Sequence, residues 1–293
     1  MHRSPRFATL PTVLALVGSM ASLTSGASFA KQLFPALGAE GTTLLRVGFS
    51  ALMLLAFWRP WRFRWERRQL RGVLLFGLSL GGMNLCFYLA LRTIPLGVAI
   101  ALEFVGPLAV AVAASRRVLD FVWIGFAVIG VGLLLPLWQF STPLDPAGIG
   151  YAVAAGVLWA AYIVLGQRAA RVHPGPALAW AMATSAVLAL PFGVAAAGAA
   201  LLAPPLLLAG LALAVLSSAV PYSLEMFALR RLPAQSFGIL LSLEPVLGAL
   251  AGLVFLHERL SVVQWIAIGC VIVASAGTAA TARPPVPAEP TPL

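Results

Sequence analysis

The sequence predicts an all-α integral membrane protein, and three observations carry that prediction. Apolar residues make up 61% of the 293, charged residues only 10%, and mean hydropathy is +0.97, more apolar mass than a water-soluble chain of this length needs for a core. Windows of roughly 17–23 apolar residues, the length that crosses ~30 Å of hydrocarbon as helix, can be laid down about ten times. The runs are continuous rather than alternating, which suits helices that satisfy their own backbone in lipid better than barrel strands.

In chain order the predicted spans are 11–30, 41–58, 72–91, 96–114, 121–138, 147–166, 175–197, 206–228, 234–256 and 261–280. The first, preceded by His2, Arg3 and Arg6, also reads as a signal peptide, but removing it would leave nine spans and break the symmetry described below. Lys31 follows it, and the second holds Arg46; these are the basic groups nearest the outer membrane face, and either can attract a carboxylate, although Lys31 can also snorkel to water. The third carries Asn84 and Tyr88 one turn apart on one face, suited to a hydroxyl or amine or to a helix contact. Gly77 and Gly81 in the same span have the spacing that lets membrane helices approach, as do Gly248 and Gly252 in the ninth.

The fourth span contains Glu103 followed one turn later by Pro107. A carboxylate at membrane depth costs a few kcal/mol on insertion scales unless it faces a cavity or a partner. Pro107 lacks the amide that would bond the Glu103 carbonyl, so a backbone acceptor is freed beside the carboxylate. The pair forms a polar point able to bind an ammonium group or a proton; the structural alternative is a protonated Glu bonding a neighbouring helix. Glu244-Pro245 lies at a similar depth in the ninth span, with Pro245 freeing the carbonyl of Leu241. In the eighth, Glu225 follows Pro221-Tyr222-Ser223-Leu224, and a surface ion pair with Arg230 or Arg231 stands at least level with a functional role for it. Residues 282–293, with Pro at 284, 285, 287, 290 and 292, read as an extended, dispensable tail.

The net charge of +10 does not point to nucleic acid, because the charges are placed for a membrane. With the N-terminus inside, the inner side receives Arg3, Arg6, the run from Arg59 to Arg71, Arg116, Arg117, Arg168, Arg171, Arg230, Arg231 and Arg283, against Lys31, Arg92 and Arg259 outside. This is the positive-inside bias, and it puts both termini in the cytoplasm. Cys86 and Cys270 lie within apolar spans as small core residues.

Sliding the chain against itself aligns Ala90-Leu91-Arg92-Thr93-Ile94-Pro95 with Ala228-Leu229-Arg230-Arg231-Leu232-Pro233, and the same offset sets Pro107 on Pro245 and Asp120 on Glu258. Span 3 maps onto span 8 and span 4 onto span 9, so the repeat holds five helices, and an odd number inverts the second copy. The expected organisation is one half over 1–140, an inverted half over 141–281 and the tail. Many secondary transporters are built this way, with the substrate at the repeat interface; Pro95, Pro107, Pro233 and Pro245 shape the helices there. There is no Walker loop, no His-Glu-x-x-His and no Gly-x-Ser-x-Gly elbow, and His257-Glu258 has no second His nearby. No cofactor, metal or enzymatic chemistry is expected.

Several segments resemble the drug/metabolite transporter superfamily (EamA-type): Gly26-Ala27-Ser28-Phe29-Ala30-Lys31, Ser79-Leu80-Gly81-Gly82-Met83-Asn84, Ala101-Leu102-Glu103-Phe104-Val105-Gly106-Pro107, Asp120-Phe121-Val122-Trp123 and Pro221-Tyr222-Ser223-Leu224-Glu225-Met226. The resemblance implies ten helices in two inverted halves and efflux of small amino acids such as threonine or homoserine across the inner membrane, driven by an ion gradient. In that reading Glu103 binds the substrate ammonium or exchanges it for a proton, and Asn84, Tyr88 and Tyr222 contact polar groups. Glu244, Glu225, Arg46 and Lys31 complete the candidate set. Alternatives are the same fold carrying drugs, nucleosides or other metabolites, and a membrane sensor or assembly factor, against which a two-sided symmetry argues.

Overall fold

The computed structural model describes residues 5–94, 96–134, 144–244, 246–247 and 261–281. Pro95, Pro245, Gly248, Gly252, His257, Glu258, Arg259 and the tail lie outside these residues. The described secondary structure is helical throughout. Five segments are long and apolar enough to cross a membrane: Leu10–Arg62, Arg67–Ala90, Pro146–Val172, Pro174–Leu202 and Pro204–Leu229. Val98–Ala114, Val118–Leu133 and Trp265–Thr278 form shorter apolar helices.

Helix α1 (Pro5–Trp58) takes in the windows predicted as two spans, and its path breaks only at Gly38 (φ 68°, ψ 174°). That backbone region is open essentially to glycine, so the chain changes direction there without a loop. Helix α2 (Arg67–Ala90) follows a basic connection. The next window is divided into α3 (Leu96–Glu103) and α4 (Val105–Ala114) around Phe104. The break has a local cause, since Pro107 cannot donate to Glu103 O. Helices α5 (Val118–Leu134), α6 (Pro146–Val172) and α7 (Pro174–Ala197) come next. Asp120 starts α5 by accepting from Arg116 N (3.1 Å) and Arg117 N (3.0 Å). Asp145 caps α6 from Ala147 N (3.3 Å) and Gly148 N (3.2 Å); a bond from the Thr93 side chain, with those amides, holds its carboxyl below the usual range.

Helices α8 (Pro204–Ala214) and α9 (Val220–Leu229) are joined by a π-helical stretch, Val215–Ala219. Helix α10 (Ala234–Leu240) ends at a turn over Leu241 and Ser242, and α11 (Val262–Thr281) closes the described chain. Two ends of the bundle can be told apart by what meets there. At one, Gly175 packs on Trp58, Phe63 and Trp65 flank His173, and Gln167 Nε2 donates to Leu232 O (3.1 Å). At the other, Arg92 pairs with Glu40 at 2.8 Å, Gly41 packs on Ala197, and Gly148 packs on Thr93.

Small residues let the helices meet backbone to backbone. A Cβ on Gly77 would lie 2.6 Å from Ala181 O and one on Gly81 2.8 Å from Ser185 Cα, so this pair seats α2 on α7, where Ser185 Oγ also donates to Gly77 O (2.8 Å). The closest approach sets α4 on α6: a Cβ on Gly106 would collide with Gly156 O, and one on Gly156 would lie 2.8 Å from Glu103 O. Gly238 brings α10 onto Pro107 O of α4 at 2.6 Å by the same measure.

Replacing Gly156 by Val is expected to lower the thermal stability of the purified protein in detergent, by about 1–3 kcal/mol or more as an overpacking change. Gly125→Ala, at a position with open space around its Cβ, serves as the neutral control. Equal melting temperatures for the two variants would contradict this packing.

Candidate functional site

Arg46 is 2% exposed, and its neighbours explain how a guanidinium is held inside an apolar bundle. Its Nη1 donates to Ser217 O (2.9 Å) and to Ser217 Oγ (3.0 Å), and its Nη2 donates to Asn84 Oδ1. The guanidinium carbon lies 4.7 Å from the Tyr88 ring centroid, a cation–π distance. Ser217 O is available because Pro221, four residues on, has no amide to give it. The π-helical stretch containing Ser217 is a local defect of the kind that recurs at functional sites. Gly26 of α1 lies directly against the Ser217 side chain, closing the defect from the other side.

Asn84 fixes the second half of this cradle. Its Nδ2 donates to Leu80 O (2.8 Å), which turns Oδ1 toward the interior, and there Oδ1 also accepts from Tyr222 OH (2.9 Å). A second hydrogen-bonded group lies beside it. Glu225 Oε2 accepts from Tyr162 OH (2.7 Å), Oε1 lies 3.2 Å from Ser19 Oγ, and Ser19 Oγ is 2.9 Å from Pro221 O.

Of these groups Arg46, Asn84, Tyr222 and Glu225 border one cavity of about 50 Å³, also lined by Tyr88, Glu103, Trp159 and Glu244. That volume holds a few waters and is too small for an amino acid. Glu103 is 7% exposed, and its carboxyl has no hydrogen-bond partner among the described residues. The same holds for Glu244 Oε2, Tyr88 OH and Arg46 Nε. Among the described residues Arg92–Glu40 is the single ion pair, so Arg46 shares its cavity with three carboxyl groups and contacts none of them.

Most of the sequence-predicted residues therefore converge: Asn84, Tyr88, Glu103, Tyr222, Glu225, Glu244 and Arg46 line one space. Arg46 is a wall of this cavity, where carbonyl and amide acceptors hold it. Two expectations need correction. Glu225 makes no surface ion pair with Arg230 or Arg231; it is 2% exposed and turned inward to the hydroxyls of Tyr162 and Ser19. The Leu241 carbonyl is not free, since Glu244 N donates to it at 3.0 Å. Lys31 is half-buried and is not among the cavity residues, and Pro233 stands at the start of α10, away from it. Sequence reasoning missed Ser19, Trp159, Tyr162 and Ser217. Only Ser217 had a readable signal, Pro221 four residues after it.

Known proteins resemble this chain over nearly its whole length. The chain is 49% identical over 274 residues to the threonine/homoserine exporter RhtA of Escherichia coli (strain K12), covering 94% of this chain and 92% of the relative. It is 49% identical over 271 residues to the protein of the same name from Salmonella typhimurium (strain SL1344), covering 92% of each. A solved crystal structure at 21% identity superposes with a TM-score of 0.69, covering 94% of this chain and 98% of the other, and shares the fold. The model of the EamA-like transporter family matches residues 146–280. With identity of this extent over nearly the whole length of its relatives, the chain belongs to the EamA-like transporter family.

Proposed function

We propose that this protein exports small zwitterionic amino acids, threonine and homoserine foremost, across the inner membrane by alternating access. The observation that carries the reading is the separation of charge in the cavity: among the described residues, a buried guanidinium with no carboxylate in contact faces the same space as a carboxyl with no hydrogen-bond donor. A buried unpaired charge is costly, and an amino acid relieves both ends at once. Its carboxylate reaches Arg46 and its ammonium reaches Glu103, while Asn84, Tyr88 and Tyr222 offer groups to a side-chain hydroxyl. The activity for which the relatives are named, threonine and homoserine export, supports the cargo. A drug carrier would want a lining richer in Trp than in charge, and here the one Trp, Trp159, stands among Arg46, Glu103, Glu225 and Glu244.

The architecture in this reading is ten crossings in two inverted five-helix halves, 1–140 and 141–281, with 282–293 as a dispensable tail. Matched features at the repeat offset support it. Thr93 N and Ile94 N both donate to Ala90 O, and Arg231 N and Leu232 N both donate to Ala228 O. One half is broken at Phe104 and the other at Leu241 and Ser242. Exchanging the halves also maps helix contacts onto each other. Gly166 of α6 on Phe76 of α2 answers Gly26 of α1 on Ser217, and Gly77 of α2 on α7 answers Gly210 of α8 on Leu45 of α1. The family model's match over 146–280 corresponds to one half. The end of the bundle bearing Trp58, His173 and Leu232 carries Arg59 to Arg71, Arg168, Arg171, Arg230 and Arg231, which favours the cytoplasm for it and for both termini. The broken helices, with Pro95, Pro107, Pro233 and Pro245, let one half rock against the other.

Two outcomes are expected in proteoliposomes. Glu103→Gln should abolish exchange of labelled threonine while leaving the yield and melting temperature near wild type, and threonine methyl ester, which lacks the carboxylate, should fail to compete in the wild-type protein. Undiminished exchange by Glu103→Gln, or full competition by the ester, would remove that contact from the mechanism. Asn84→Leu should lower stability by about 1–3 kcal/mol, because Arg46 Nη2 and Tyr222 OH lose their common acceptor; thermal unfolding in detergent measures it.

A further inference from the structure

Glu225 differs from Glu103 in one respect that the substrate site does not explain. Both of its oxygens are engaged by hydroxyls, Oε2 by Tyr162 (2.7 Å) and Oε1 by Ser19 (3.2 Å), so little of its acceptor capacity is directed at a ligand. Ser19 has a single hydroxyl hydrogen and two oxygen neighbours, Glu225 Oε1 and, closer, Pro221 O at 2.9 Å. A carbonyl can only accept. If the serine hydrogen points to Pro221 O, the contact with Glu225 is a hydrogen bond only when Glu225 supplies its own proton. The chain then runs Glu225 O–H to Ser19 O–H to Pro221 C=O, with Tyr162 O–H donating to the other carboxyl oxygen. With Glu225 ionised, the serine hydrogen must swing to Oε1 and leave Pro221 O. The carboxyl therefore has two complete hydrogen-bond arrangements that differ by one proton, and they tie α1, α6 and α9 together.

We propose that Glu225 carries the coupling proton, separately from the carboxylate that holds the substrate ammonium. The inference rests on the amino-acid exporter reading and deepens it. The groups facing Glu225 are Ser19 of α1, Tyr162 of α6, Tyr222 of its own helix and, around the shared cavity, Arg46, Glu103 and Glu244; α7 and α10, also packed on α9, bring no titratable side chain. The direction of coupling follows from charge. A substrate ammonium entering beside Glu103 and Glu225 favours the ionised form of both, so loading from the cytoplasm expels the Glu225 proton to the cytoplasm. Protonation from the opposite side removes a negative charge from the cavity and weakens its hold on the ammonium. By linkage each ligand lowers the affinity for the other, as an antiporter needs. The net step moves one proton inward on the Glu225 carboxyl for each substrate released outward, with no covalent bond made other than the carboxyl O–H.

The test uses the full chain in proteoliposomes with labelled threonine, plus infrared difference spectra between acid and alkaline pH. Glu225→Gln keeps the neutral arrangement, its amide donating to Ser19 and its carbonyl accepting from Tyr162. It should therefore still exchange threonine without a gradient, with a raised KM because the cavity holds one negative charge fewer, and lose all stimulation by an imposed pH gradient, whereas Glu103→Gln should lose both. In the spectra, one protonated-carboxyl band should vanish in Glu225→Gln, persist in Glu103→Gln and shift in Tyr162→Phe. Gradient-driven transport retained by Glu225→Gln, loss of its exchange, or a carboxyl band unchanged by the substitution each overturns the proposal. If the wild-type chain exchanges neither threonine nor homoserine, the exporter reading fails, and the carboxyl band then decides Glu225 on its own.

Discussion

Holding a guanidinium inside an apolar bundle without an acid in contact is the constraint on which the rest of this structure depends. Insertion scales put an Arg at the centre of a membrane helix at about 2.5–3.5 kcal/mol, and the usual remedy is a paired carboxylate. Arg46 is held instead by dipoles: a backbone carbonyl, a serine hydroxyl, an amide oxygen and an aromatic face. Each requires something of the fold. The carbonyl of Ser217 is open because of Pro221 and lies within a π-helical defect. The amide is aimed by its own bond to Leu80 O. The aromatic face stands one turn further along α2.

The same economy of backbone recurs beside Glu103. Pro107 leaves Glu103 O without its helical donor, α3 stops there, and Gly156 of α6 comes close enough that no side chain fits between. Proline opens the helix and glycine admits a neighbour to the opening. Gly26 plays that part at Ser217 and Gly156 at Glu103. Polar backbone at membrane depth is tolerated only where protein or a cavity covers it, so the glycines and prolines act as a unit, and the hydrophobic remainder of each span sets its position.

The apolar runs and the placement of Arg made the helical membrane fold legible, and the isolated Glu103 and Arg46 were legible as residues needing a reason. The helix limits were less so: α1 continues through the predicted gap between the first two windows because Gly38 bends it without ending it. Glu225 was misread for a physical reason. Its sequence neighbours, Arg230 and Arg231, are close along the chain, but α9 turns its carboxyl to the other face, toward Tyr162 and Ser19, which are remote in sequence. Tyr162 and Ser19 carry no local signature because their importance comes only from what folds against them. Helical periodicity shows which residues share a face and says little about which distant face they meet.

Among the described residues, Arg46 Nε, Tyr88 OH and Glu244 Oε2 are buried without a partner, and Glu103 has no donor although a cation borders the same cavity. A cluster built for stability would have closed the Arg46–Glu distance, since an unsatisfied buried group costs about 1–3 kcal/mol. Here the favourable pairing is withheld from the protein itself. In the proposed exporter reading a ligand carrying both charges recovers it once the cavity widens to admit the molecule, which links binding energy to the conformational cycle. A ligand with one charge would recover half of it, so that reading favours zwitterions.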